Sequence, residues 1–185
     1  MENRTLNVGL KLRFEKFDEV PAGFAITAVQ CVNDVFYQSE LRDLHDIRNQ
    51  FSEIPAVALD AAEQRMRESR KDAVLLQGFQ KGSLEIAVIG AGLAIWFLKQ
   101  TLGETIKEAW LEGGLHERIK EFLTKRRSEK YHAIAQDSER RLERKLRTKV
   151  EMGYSDSYEH VSITLQVWFH PGEHPPFPRQ HEDSF

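Results

Sequence analysis

Apolar and polar residues alternate with period two near both ends of this 185-residue chain. In Thr5–Phe14, Leu6, Val8, Leu10, Leu12 and Phe14 fall on one side, and Asn7, Gly9, Lys11 and Arg13 on the other. In Val161–Phe169, Val161, Ile163, Leu165, Val167 and Phe169 alternate with Ser162, Thr164, Gln166 and Trp168. Each stretch predicts a strand with one buried face. Between them the period changes. After Pro21, the residues Phe24, Ala28, Cys31, Val32, Val35 and Phe36 recur at helical spacing, predicting an amphipathic helix over about Pro21–Leu44. A shorter helix is predicted from Pro55 to about Arg70, with Val57, Ala58, Ala61, Ala62 and Met66 inward. The intervening HDIRNQFSEI is ambiguous between helix and other structure.

Ala73–Gln80 reads as a strand, Lys81-Gly82 as a tight turn and Ser83–Ile86 as the returning strand of a hairpin. Leu98, Leu102, Ile106, Ala109 and Trp110 continue at helical spacing until Gly113-Gly114. Leu115, Ile119, Phe122, Tyr131, Ile134, Leu142 and Leu146 predict one more long helix, interrupted near Ser128. The order β-α-α-β-β-α-β predicts an α+β fold: an antiparallel, ferredoxin-like sheet with helices on one face. The long charged helical segment, 115–150, is expected to project from that body or to pack on a partner's. Residues 1–169 form one domain in this reading. Residues 170–185, with Pro171, Pro175, Pro176 and Pro178, form an extended or mobile tail.

The stretch EIAVIGAGLAIWFLKQ, Glu85–Gln100, admits three readings. As a dinucleotide site it supplies Gly90 and Gly92, but the third glycine position holds Ile95, and TLGETIKEAWLEGG follows where a second parallel strand with a ribose-binding acid should end. No cofactor is therefore expected. As a membrane helix, Ile86–Leu98 has 13 residues, about 20 Å against a hydrocarbon core of about 30 Å. Apolar on all sides, it must be buried in something, lipid included, and core or subunit interface is the third reading. Ile86, Val88, Ile89, Leu93, Ile95, Trp96, Phe97 and Leu98 are its candidate interface or membrane residues.

The charge of −3 predicts no general attraction to nucleic acid, but the charge is unevenly placed. Glu117–Lys149 holds 12 Lys and Arg against 6 Asp and Glu, a local +6; the rest holds 14 against 23, or −9. Opposite charges at i,i+4 (Glu121-Lys125, Asp137-Arg141, Glu143-Arg147) suit a solvated helix face. The same segment could bind nucleic acid or an acidic partner surface, including the acidic body of a neighbouring copy. Lys11, Arg13 and Trp168 on the solvent side of the sheet, with Arg126, Arg127, Arg140 and Arg141 on the helix, are the candidate nucleic-acid contacts. No aromatic-rich RNA-recognition signature accompanies them.

A single cysteine, Cys31, excludes a disulfide within the chain. The N-terminus lacks an apolar signal-type stretch, so a cytoplasmic location, peripheral to a membrane at most, is expected. His170, His174 and His181 lie among prolines and lack further ligands, so no metal site is expected, and His160 has no evident partner. No metalloprotease, nucleophile-elbow or phosphate-loop pattern occurs, so no catalytic residue is named.

The segment VLLQGFQKGSLEIAVIGAGLAIWFLKQ resembles the small α+β accessory domains of bacterial conflict systems, some related to the TRADD N-terminal domain. Those domains are similar in feeding a GS-L-E-I type hairpin into a hydrophobic, sometimes membrane-associated, helix. The resemblance implies a non-enzymatic module for oligomerisation, signalling or membrane engagement in antiviral defence. The expected function is thus a homo-oligomerising or partner-binding module, with nucleic-acid binding as the alternative and a dinucleotide enzyme as the third reading.

Overall fold

The computed structural model describes residues 7–15, 20–69, 75–80, 83–87, 93–101, 114–157 and 160–168. In chain order the elements are β1 (Asn7–Glu15), α1 (Ala22–Gln50), α2 (Ala56–Glu68), β2 (Leu75–Gln80), β3 (Ser83–Ala87), α3 (Leu93–Thr101), α4 (Leu115–Lys125), α5 (Arg127–Leu146), β4 (Lys149–Asp156) and β5 (His160–Trp168). The protein is α+β. Leu102, Ile106, Ala109 and Trp110, the Gly90–Gly92 turn and the tail lie outside the described residues.

The five strands form one mixed sheet in the order β2-β3-β1-β5-β4. β1 is antiparallel to β3 and parallel to β5. This departs from the antiparallel ferredoxin-like sheet expected from the sequence. The cause is β4. In KVEMGYSD, the alternation of Val150, Met152 and Tyr154 is obscured by Gly153, Ser155 and Asp156, residues that elsewhere signal turns. β4 forms a hairpin with β5, and the last strand runs parallel to the first. Val8 then pairs with Val161, Leu10 with Ile163, Leu12 with Leu165 and Phe14 with Val167, so both predicted buried faces coincide.

Two helices each begin directly after a proline in extended conformation, Pro21 (φ −56°, ψ 131°) and Pro55 (φ −60°, ψ 134°). Proline fixes φ and lacks the N–H that a helix start leaves unpaired. α1 runs 29 residues, six beyond the predicted Leu44. Leu44, Ile47, Phe51 and Ile54 keep an apolar stripe going through the ambiguous stretch, and all four are buried. In α2, Ala58, Leu59, Ala62 and Met66 are buried, whereas Val57, expected inward, is 79% exposed in the first turn.

The long charged segment does not project. It breaks at Arg126 into α4 and α5; α5 packs along α1, and α4 joins the second core. Two cores result. The first joins β1, β4 and β5 to the N-terminal half of α1 and to α5 through Leu12, Phe36, Ile134, Leu142 and Ile163. The second joins the C-terminal half of α1 to α2, α3 and α4 through Ile47, Leu59, Met66, Leu98 and Ile119. The apolar side of α1 therefore serves a sheet at one end and three helices at the other.

Candidate functional site

α1 places Ser39, Glu40 and Asp43 on its buried side, between Phe36 and Tyr37 of one turn and Leu44 and Ile47 of the next. The Glu40 side chain is only 2% exposed. Lys130 of α5 reaches both carboxylates, donating to Glu40 Oε1 and, at 2.5 Å, to Asp43 Oδ2. The other Glu40 oxygen accepts the backbone N–H of Ala94 at 3.2 Å, in the first turn of α3. One side chain thus ties α1, α3 and α5 together where the two cores meet.

Burial pushes the Glu40 carboxyl above its ordinary value, Lys130 pulls it back, and the like charge of Asp43 adds to the rise. For Lys130, burial alone would favour the neutral amine, but the charges of Glu40 and Asp43 more than reverse this and hold it above its ordinary value. A buried lysine serves as a nucleophile or Schiff-base amine when its proton is easily lost. Lys130 is held in the opposite state. The Tyr131 hydroxyl is pushed up to about 12, by burial first. Both oxygens of Glu40 are engaged and both its partners belong to the scaffold, so the node positions helices rather than reacting.

Two clefts flank the node. One, of about 160 Å³ between α1 and α5, is lined by Arg42, Asp46, Arg126, Glu129 and Asp137. The second, of about 460 Å³ beside α2, shares Arg42, Asp46 and Arg126 and adds His45, Arg48 and Glu63. Their cations already have partners. Arg126 pairs with Asp46, Arg42 lies 3.7 Å from Asp137, and Arg48 contacts Asp60 at 2.6 Å and Glu63 at 3.8 Å. Such exposed pairs contribute about 0–1 kcal/mol each, and they leave little unbalanced positive charge to capture an anion.

The candidate nucleic-acid residues do not share a surface. Lys11, Arg13 and Trp168 lie on the sheet face opposite the first core, whereas Arg126, Arg127, Arg140 and Arg141 belong to the helical layer on the core side. Lys11 is paired with Glu85 at 3.0 Å, Arg13 is exposed, and Trp168 is half-buried with its indole N–H beside Glu151. Arg127 contacts Asp156 at 2.7 Å, Arg141 lies 3.9 Å from Asp34, and Arg140 lies 4.0 Å from Asp137. The basic segment therefore meets the acidic body within the same chain. Of the three expected i,i+4 pairs, Glu121-Lys125 forms at 2.8 Å. Asp137 turns instead to Arg42 and Arg140, and Glu143 to a backbone amide of β4.

The apolar run is divided. Ile86 lies on β3 opposite Leu10, and Val88 and Ile89 fall outside the described residues. Leu93 opens α3, Phe97 and Leu98 are buried in the chain's own second core, and Ile95 is half-buried. Trp96 is 54% exposed, with its ring edge-on to Phe97 at 4.8 Å. Phe97 and Leu98 are thus closed to a partner by burial within the chain. Because β3 is antiparallel to both neighbours, it is not the parallel strand a dinucleotide site requires before its helix. Among the described residues, no three His, Cys, Asp or Glu side chains could together hold a metal ion, and no helix is long and apolar enough to cross a membrane. Cys31 is buried, and burial first of all raises its thiol pKa, so the reactive thiolate is disfavoured.

Sequence reasoning missed the node. Its signal was present: Glu40 and Asp43 fall on the same helical stripe as Phe36 and Ile47, where a carboxylate needs a buried counter-ion. The chain matches no protein family, and neither a curated protein nor a solved structure matches it.

Proposed function

We propose that this protein is a non-catalytic module that self-associates through α3, with Trp96 as the anchor. The observation that carries this reading is the 54% exposure of Trp96 on a helix whose Ala94, Phe97 and Leu98 are buried. Exposed tryptophan flanked by polar groups, here Lys99 and Gln100, is the composition of an interface hot spot with its rim. The Glu40–Ala94 hydrogen bond supports the reading, because it anchors the start of α3 to α1 and presents the tryptophan on a fixed helix. The hairpin's resemblance to accessory domains of bacterial conflict systems is in keeping with an associating module. Nucleic-acid binding is the weaker proposal, since its cations are divided between two sides of the sheet and most have carboxylate partners.

Light-scattering mass of the intact protein and of Trp96→Ala, with liposome flotation in parallel, tests the proposal. A discrete oligomer that shifts toward monomer in the variant, with unchanged circular dichroism, is expected. A monomeric mass at concentrations up to about 100 μM, where even weak self-association registers, would overturn it. Flotation lost in Trp96→Ala would overturn it too, and assign α3 to a lipid surface.

A further inference from the structure

β4 is one of the two edges of the sheet. An edge strand presents unpaired backbone donors and acceptors to any strand that can reach it. Here two donors of β4 are already occupied, by side chains. Val150 N–H donates to Glu143 Oε1 at 3.2 Å, and Met152 N–H donates to Glu139 Oε1 at 3.1 Å. Each carboxylate oxygen accepts the hydrogen bond that a carbonyl of a sixth strand would otherwise accept.

The match comes from two periods. After α5 the chain reverses through Arg147, in the left-handed conformation (φ 51°), so that β4 runs back alongside the helix. Residues i and i+4 of a helix are separated by about 6.0 Å along its axis, and residues i and i+2 of a strand by about 6.8 Å. Over two rungs these spacings nearly agree, and 143 meets 150 while 139 meets 152. The third rung would fall on Ala135, which has no acceptor. At that level Tyr154 instead directs its hydroxyl to the Ser128 carbonyl at 3.2 Å and packs its ring edge-on to His132.

We propose that Glu139 and Glu143 are an edge guard that closes β4 against strand addition by a second copy of this chain. A second copy is the occupant to exclude because antiparallel β4–β4 pairing about a twofold axis needs only this one edge from each partner. It would join two five-stranded sheets into one continuous sheet. The guard confines association to surfaces other than β4, and it does not depend on the role proposed for Trp96.

The test uses full-length protein carrying Trp96→Ala, so that association through α3 cannot be mistaken for strand addition. Salt at about 0.5 M screens the exposed cations Arg140, Arg144 and Lys145. In the added pair Glu139→Ala and Glu143→Ala, the amides of Val150 and Met152 should exchange about fivefold or more faster in dilute solution. At high concentration the mass should move to dimer and those amides should regain protection. Glu139→Gln with Glu143→Gln keeps an acceptor oxygen at each place and should behave like the parent. Adding Met152→Pro to the alanine pair removes an outward donor and should restore the monomer. If the double alanine variant does not fold, the exchange of Val150 in Glu143→Ala alone carries the same test. A double variant that stays monomeric, a dimer that survives Met152→Pro, or amides that exchange at the parent rate would each overturn the proposal.

Discussion

The two cores are built on the same helix and differ in what closes them. In the first, alternating Val, Leu and Ile side chains of β1 and β5 lie in register against α1 and α5, and each strand is bonded on both sides. In the second, α2, α3 and α4 pack around the other half of α1 with no strand residue among the described ones, and α3 owes part of its placement to one carboxylate, Glu40. Backbone ladders bind strands to each other directly, whereas helices satisfy their own backbones and are joined only by side chains. The second core is therefore the region where one side chain can set the position of a whole element. The same region carries the exposed Trp96.

The largest effect that would test this comparison is removal of the charge both cores share. Lys130→Met leaves Glu40 and Asp43 without a counter-ion in a buried site, and should destabilise the fold by about 3–5 kcal/mol. Adding Glu40→Leu should recover part of that loss, although Ala94 N–H then lacks its acceptor. Chemical denaturation of the single and double variants checks both statements. Equal stability of wild type and Lys130→Met would mean that the node holds nothing in place.

The next effect separates the cores themselves. Leu12 and Leu98 are each fully buried, in the first and second core respectively. Either residue replaced by alanine should lose about 2–5 kcal/mol. Hydrogen exchange distinguishes them: Leu12→Ala should accelerate exchange in β1, β5 and α1 together, whereas Leu98→Ala should accelerate α3 and α2 well before β5. Identical exchange patterns would show the two cores opening as one unit.

The smallest effect concerns alkaline pH. Tyr131 keeps its proton up to about 12 in the folded chain, whereas the unfolded chain loses it from about 10.0 upward. The unfolded state then binds fewer protons, so stability falls as pH rises through that window. Lys130 acts in the same sense: its ion pairs contribute fully below its ordinary value of 10.5 and are lost as pH climbs above it. Tyr131→Phe should remove up to about 2–3 kcal/mol of this loss and flatten the dependence of Tm on pH between about 9 and 11.5. Parallel slopes for the two proteins would show that Tyr131 ionises alike in both states.

Much of the architecture was legible in local periodicity. Leu10 and Ile163 marked buried strand faces, Pro21 and Pro55 marked helix starts, and Ala73–Gln80 and Ser83–Ile86 marked the paired strands β2 and β3. Reading failed where two local signals competed. β4 is not among the predicted strands: Gly153 and Ser155 are turn-type residues, although Val150, Met152 and Tyr154 carry the strand period. Trp96 and Phe97, adjacent in one apolar run, could not be sorted by pattern into one exposed and one buried side chain. That division depends on which side of α3 meets α2.

The sequence by itself determined the element types apart from β4, the two buried strand faces and the division into a basic segment and an acidic body. Those properties follow from spacing along the chain, since a side chain's direction within a helix or strand is set by its neighbours in sequence. The tertiary structure decided the parallel pairing of β1 with β5, the folding of the basic segment onto α1, and the meeting of Lys130 with Glu40 across 90 residues. These depend on which surfaces exclude water together and which charge is left without solvent, and both are properties of the packed chain.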